Sequence, residues 1–221
     1  MATLREIVYN IKNLAEGGSS IAEDTKLSDL QVEFLVHSYR ANLLMNYTNS
    51  GRNVHPQTLQ NHKLTTATDN AVKLALPAVV QFDKLRAVKK IRYEASGGGS
   101  EYVSLQLADD SIYDEFNRFT NAQKKAYLKD GDLQLYNWNL DTGELIEVEA
   151  VFFNPTEIID ADTGTAFNKD TDHYPMPPEL IPVLTKQILA NEYRVVTSII
   201  EDDNIDGQAI QEELQGQVRK R

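Results

Sequence analysis

Apolar positions recur at two different periods along the chain, and the change of period divides it. Leu4, Ile7, Val8, Ile11 and Leu14 stand three or four residues apart, which predicts an amphipathic helix over residues 3–16 closed by Gly17-Gly18. A second helix is predicted from Ser28, whose hydroxyl can cap the first turn while Gln31 reaches back, to about Thr48, ahead of Asn49-Ser50-Gly51. Its apolar residues fall in two stripes, Leu27, Leu30, Phe34, Ala41 and Leu44 in one and Val32, Leu35, Val36, Tyr39, Leu43 and Tyr47 in the other. A helix apolar over so wide a surface needs partners on two sides.

From about residue 72 the period drops to two. Val72, Leu74 and Leu76 alternate before Pro77; Ile91 and Tyr93 precede Ser96-Gly97-Gly98-Gly99-Ser100, and Val103, Leu105 and Leu107 alternate after it, which predicts a hairpin. Asp130-Gly131 between Ala126/Leu128 and Leu133/Leu135, and Asp141-Thr142-Gly143 between Leu135 to Trp138 and Leu145 to Phe153, predict two more. The middle of the chain therefore reads as an antiparallel sheet, with a short helix over Ile112 to Phe119 between strands. Asn154-Pro155 ends the strands, and Asp160 to Asp172 is a polar loop with little to pack.

Pro177-Pro178-Glu179 then opens a helix to Ile200, with Pro182 in its first turn, where N–H groups lack partners anyway. Ile181, Leu184, Ile188, Val195 and Ile199 form one stripe, while Leu189, Val196 and Ile200 begin another. Past Glu201 the chain is polar and acid-rich up to Arg219-Lys220-Arg221, with Ile205, Ile210, Leu214 and Val218 too sparse for a core. The expected fold is α+β: long helices from both chain ends packed together, an inserted antiparallel β-sheet region and an extended C-terminal arm. The corresponding division is a helical domain of residues 1–70 and 172–200, an antiparallel β domain of 71–171, and an arm of 201–221.

Composition narrows the class. With 41% apolar and 25% charged residues in 221, the chain has ordinary globular usage and is long enough for one or two domains. It has no apolar run long enough to cross a bilayer, and its first residues lack the design of a secretion signal, so a cytoplasmic origin is expected. The absence of cysteine excludes disulfides and thiolate metal sites. A net charge of -11 would repel a phosphate backbone and argues against general nucleic-acid binding. The basic run Lys84, Arg86, Lys89, Lys90 and Arg92 looks strand-like and is read as a solvated face.

Catalytic signatures are missing. His37, His55, His62 and His173 show no metalloprotease spacing, and His37 is read as a satisfied interface histidine. The Gly-Ser loop lacks the Lys-Ser/Thr ending of a phosphate-binding loop, and pairs such as Asp109-Asp110 or Glu147 and Glu149 carry no acid–base information. One sharper match is Asp202, Asn204 and Asp206 before Gly207, with Glu213 following, oxygen ligands at calcium-loop spacing. Against it, Ala209 stands where a bulky aliphatic pairs with a second loop, and the exiting segment is short and broken by Gly216. The plainer reading is an acidic arm turning at Asp206-Gly207 and wrapping a neighbouring subunit.

Two blocks carry a resemblance. Asp29-Leu30-Gln31-Val32-Glu33-Phe34-Leu35-Val36-His37-Ser38-Tyr39-Arg40, continuing through Leu44 and then His55 to Gln60, is similar to the opening of head-to-tail connector proteins of crAss-like bacteriophages. Tyr174-Pro175-Met176-Pro177-Pro178-Glu179-Leu180-Ile181, with the helix and arm after it, resembles their closing segment. Together the blocks cover about a third of the chain. The resemblance implies a non-enzymatic virion protein without cofactor or membrane contact, made in the host bacterial cytoplasm and placed at the head–tail junction. It would form a cyclic ring with itself, dodecameric to match the portal, and touch the portal protein and neighbouring tail ring proteins. Genomic DNA would pass through the lumen without specific binding. Cyclic rings need two different faces per copy, and an acidic lumen keeps phosphates off its wall. Val32, Leu35, Tyr39, Leu43 and Tyr47, with Ile188, Val195 and Ile199, are the expected interface residues. The alternatives are a calcium-binding interaction module, an enzyme built from unremarkable carboxylates, or another virion layer such as a lower tail ring or capsid-associated protein.

Overall fold

The two N-terminal helices begin where the hydrophobic pattern and capping chemistry place them. In the computed structural model, α1 spans Leu4–Ala15 and α2 spans Asp29–Asn49. The structure describes residues 2–15, 28–65, 73–82, 88–94, 100–103, 125–129, 131–136, 138 and 145–193. Ser28 caps α2: its hydroxyl accepts from the Gln31 amide at 3.2 Å, and the Gln31 side chain accepts from the Ser28 amide at 2.9 Å. Those reciprocal bonds satisfy donors that have no partner inside the helix.

The third α-helix among the described residues, α3, covers Ile181–Ile188 and follows a 3₁₀ turn at Pro178–Leu180. Pro182 sits in its first turn, as its chemistry requires. Of the long helix expected to Ile200, the described residues carry the part up to Tyr193. The α-helical spacing gives way to a wider π turn over Leu189–Tyr193, and residues 194–200 lie outside the described residues. Leu4, Ile7, Val8 and Ile11 of α1, Val32 and Val36 of α2, Leu184 and Ile188 of α3, and Tyr174 and Met176 share one core. Segments distant in sequence are stitched beside it: Tyr174 N–H donates to the Ala2 carbonyl at 3.0 Å, and Arg5 N–H to that of Lys169 at 3.2 Å.

Among the described residues seven strands follow α2: β1 Gln60–Thr65, β2 Lys73–Ala75, β3 Val88–Glu94, β4 Ser100–Val103, β5 Lys125–Lys129, β6 Asp132–Tyr136 and β7 Leu145–Ala150. The pairings among these strands are all antiparallel, and they make two sheets rather than one, in the orders β1-β7-β3-β4 and β2-β6-β5. The β3–β4 and β5–β6 hairpins match the sequence pattern, and Gly131 supplies a φ of 87° that a side chain would resist. The hairpin expected around Asp141-Thr142-Gly143 does not form. Both edges of β7 are taken, by β1 and β3, while β6 lies between β2 and β5. The helix expected over Ile112 to Phe119 and the loop at Ser96 to Gly99 lie outside the described residues.

β1 went unread in the sequence because its residues, Gln60-Asn61-His62-Lys63-Leu64-Thr65, hold one aliphatic side chain. It is nonetheless a strand, with the buried His62 ring edge-on to Phe152 at 5.6 Å. Its outer edge does not stay open. Lys63 N–H donates to the Ile159 carbonyl at 2.9 Å and Ala161 N–H to the Asn61 carbonyl at 3.1 Å, so part of the loop expected to pack little covers the edge instead.

Candidate assembly surfaces

Alternation along β7 decides which groups meet solvent. Ile146, Val148 and Ala150 are sealed inside, whereas Glu147 and Glu149 point outward opposite Arg92 and Lys90 of β3. Arg92 Nη2 meets Glu147 Oε1 at 2.6 Å and Lys90 Nζ meets Glu149 Oε2 at 3.5 Å. The described part of the basic run is thus largely neutralised across the sheet rather than offered to phosphates, while Lys84 and Arg86 lie outside the described residues.

Helices and sheet are joined by a buried cation. Arg40 on α2 is fully buried, with Nη1 donating to the Phe152 carbonyl at 2.7 Å and Nε to the Pro175 carbonyl at 2.9 Å. Its guanidinium also lies 5.5 Å from the centre of the Tyr174 ring. Next to it, His37 Nδ1 and the Tyr174 hydroxyl share a 2.9 Å hydrogen bond. Burial, reinforced by the Arg40 charge, pushes the His37 pKa down to about 4, and burial pushes the Tyr174 hydroxyl well up. His37 is therefore a neutral core group and not the interface histidine expected. At His37 this face of α2 is covered from inside the chain, by Tyr174.

The remaining expected interface residues divide. Val32 and Ile188 are buried in the helical core, and Leu35, Tyr39 and Leu43 are half-buried against it. Tyr39 also donates to Glu192 Oε1 at 2.7 Å, tying α2 to the π turn. Tyr47 is half-buried, with the Arg52 guanidinium 4.7 Å from its ring centre. Val195, Ile199 and the calcium-spaced Asp202, Asn204, Asp206 and Glu213 lie outside the described residues. Among the described residues, no group of three or more His, Asp or Glu side chains could hold a metal ion.

The apolar surface left uncovered lies elsewhere. Leu30 is 73% exposed and Phe34 62% exposed, adjacent on one face of α2. Residues turn by about 100° along a helix, so Leu30 and Phe34 stand roughly half a turn from Val32, Leu35, Val36 and Tyr39, which face α1 and α3. They line up instead with Ala41 and Leu44, which are covered by Val54, Val80 and Val151. Two turns before Ala41, that cover has ended and the face runs on as a bare ridge. Glu33 beside it is held by Lys169 at 2.8 Å and Asp29 by Lys12 at 2.6 Å. The Lys12 bond holds the Asp29 carboxyl below its ordinary pKa.

Two concavities are lined by described residues. One, of about 730 Å³, lies between α1 and α3, lined by Asn10, Asn13, Leu14, Ile181, Pro182, Thr185, Lys186, Leu189 and Ala190. Leu14 there is 59% exposed. The other, of about 500 Å³, lies beside β1 and carries Gln57, Gln60, Asn61, Asp160, Thr163, Asp172 and His173 around Phe167 and Tyr174. Asp160 is occupied with its own turn, its Oδ1 accepting from the amides of Asp162 at 3.1 Å and Thr163 at 2.8 Å. The sequence held the signal for the ridge in the two-stripe pattern of α2, but not which stripe would stay bare.

No helix among the described residues is long and apolar enough to cross a membrane. A family model described as phage tail ring protein 2 matches residues 6–213, most of the chain. A comparison with curated proteins finds no match.

Proposed function

The chain belongs to the phage tail ring protein 2 family, and from that premise we propose that it is a ring subunit of the head-to-tail connector, beneath the portal, forming part of the channel for DNA. The family makes it a structural component of the virion that assembles with other tail proteins. The finer placement is our own reading. In it the ring is dodecameric to match the portal, binds the portal on one side and the next tail ring on the other, and lets DNA pass without holding it.

The observation that carries this reading is the bare apolar ridge of Leu30 and Phe34, left over after α2 has filled both cores it belongs to. Large exposed apolar side chains that adjoin one another mark a contact surface. A net charge of -11 suits a conduit, because an acidic wall repels the phosphates moving past it. The seat of assembly accordingly shifts from Val32 and Ile188, which are buried in the chain's own core, toward Leu30 and Phe34.

The test is the mass and appearance of the full chain, alone and mixed with portal, by light scattering and electron microscopy. Closed rings that co-sediment with portal are expected. A chain that stays monomeric at every concentration and ignores portal overturns the reading.

A further inference from the structure

We infer that the ring closes through a ridge-into-groove contact, in which Leu30 and Phe34 of one copy enter the α1/α3 groove of the next. This rests on the ring reading and names its contact. A cyclic ring needs two unlike patches on one copy, arranged so that each can be used at once by a different neighbour. The helical layer supplies such a pair. Leu30 and Phe34 project from the side of α2 opposite to α1 and α3, whereas the groove of about 730 Å³ is bounded by α1 and α3 themselves.

The chemistry of the two patches matches as well. Leu14, Ile181 and Leu189 give the groove an apolar floor, and its volume leaves room for a leucine and a phenylalanine together. At its rim the exposed Lys186 has no carboxylate partner among the described residues, while Asp29 stands exposed at the foot of the ridge. On α1, Lys12 points to Asp29 of its own copy, whereas Asn10, Asn13 and Leu14 line the groove, so one copy does not fill its own groove with its own ridge. Buried aromatic and aliphatic anchors of this kind dominate binding, with a polar rim around them.

The absence of cysteine makes the contact directly testable. Full chains carrying Phe34→Cys and Leu14→Cys are purified separately, assembled into rings under conditions where wild-type rings are seen by electron microscopy, and mildly oxidised. Both positions are exposed, so neither change disturbs a core. A disulfide-linked dimer in the mixture, with none in either variant alone, is the expected result. Rings without that dimer overturn this contact and leave the ring reading standing; a Phe34→Cys chain that cross-links to itself overturns it too, because the contact is then between like faces. If wild-type chains form no ring, alone or with portal, the ring reading fails and this contact fails with it. As a second measurement, Phe34→Asp should weaken self-association at least about tenfold, and unchanged association counts against the ridge.

Discussion

Along β7 the inward residues Ile146, Val148 and Ala150 are sealed between β1 and β3, and in the sheet region and its loops large apolar exposure among the described residues is confined to Ile159. The helices differ. Tyr9 and Leu14 on α1, Leu30 and Phe34 on α2 and Val183 on α3 are all exposed, although the core beneath them is as tight as that of the sheets. A strand presents one face inward and the other outward at a fixed period of two, so β7 can divide its residues cleanly. A helix with a wide apolar surface cannot do so, and what its own chain fails to cover is left for another. Among the described residues the sheet region covers nearly all its own large apolar side chains, whereas the helical layer leaves several bare, which on the ring reading a neighbour covers.

That contrast concerns surfaces and not cores, and the largest expected effects should show it. Ile146→Ala in β7 and Leu184→Ala in α3 each remove a fully buried side chain. Each should lower unfolding free energy by about 3 kcal/mol, measured by urea denaturation under monomeric conditions. Equal losses mean that both regions are packed alike inside one copy. A loss below about 1 kcal/mol for Leu184→Ala alone would show that the helical core itself is loose without neighbours, which breaks the comparison.

The junction of the two regions gives the next effect, through pH. His37 titrates near 6.5 when unfolded but is pushed down to about 4 in the fold, because burial strips water from the charged ring and the Arg40 cation beside it adds to the cost. A base with a depressed folded pKa is neutral in the native state, so the unfolded chain binds more protons below 6.5. Stability is therefore whole above about pH 6.5 and falls as pH drops toward 4, by about 3 kcal/mol from this group. His62, also lowered by burial, adds to the fall in the same direction. His37→Gln should flatten the slope between those limits in a series of urea melts. An unchanged slope would mean that His37 is not sealed at the junction.

How much of this was written in the sequence depends on whether the deciding interaction is local. Ser28 with Gln31, Gly131 between β5 and β6, and Pro182 in the first turn of α3 act within a few residues, and each stands where its chemistry placed it. β1 was missed because its burial comes from His62 against Phe152 and from the 159–161 segment over its edge, partners about ninety residues away. The same holds for β7, whose neighbours are β1 and β3 rather than the strand before it. Nothing near Arg40 in the sequence marks it for burial, because the carbonyls that satisfy it, of Phe152 and Pro175, lie more than a hundred residues away. For the assembly surface, the surplus of apolar stripes on α2 was legible. Choosing the bare stripe required knowing where Val54, Val80 and Val151 stop covering the helix.

The smallest expected effect is the most discriminating. Phe34 is 62% exposed and lies past the end of the cover that shields Ala41 and Leu44, so within one copy it has little packing to lose. Phe34→Asp should therefore change the monomer's unfolding free energy by no more than about 0.5 kcal/mol in urea, as for other surface positions. The same carboxylate placed in an apolar groove would be buried without a partner and would oppose assembly strongly. A variant that folds as wild type and yet fails to form rings separates the two roles of α2. If instead Phe34→Asp lost stability comparable to Ile146→Ala, the ridge would belong to the monomer's own core, and the helical layer would be as complete by itself as the sheets are.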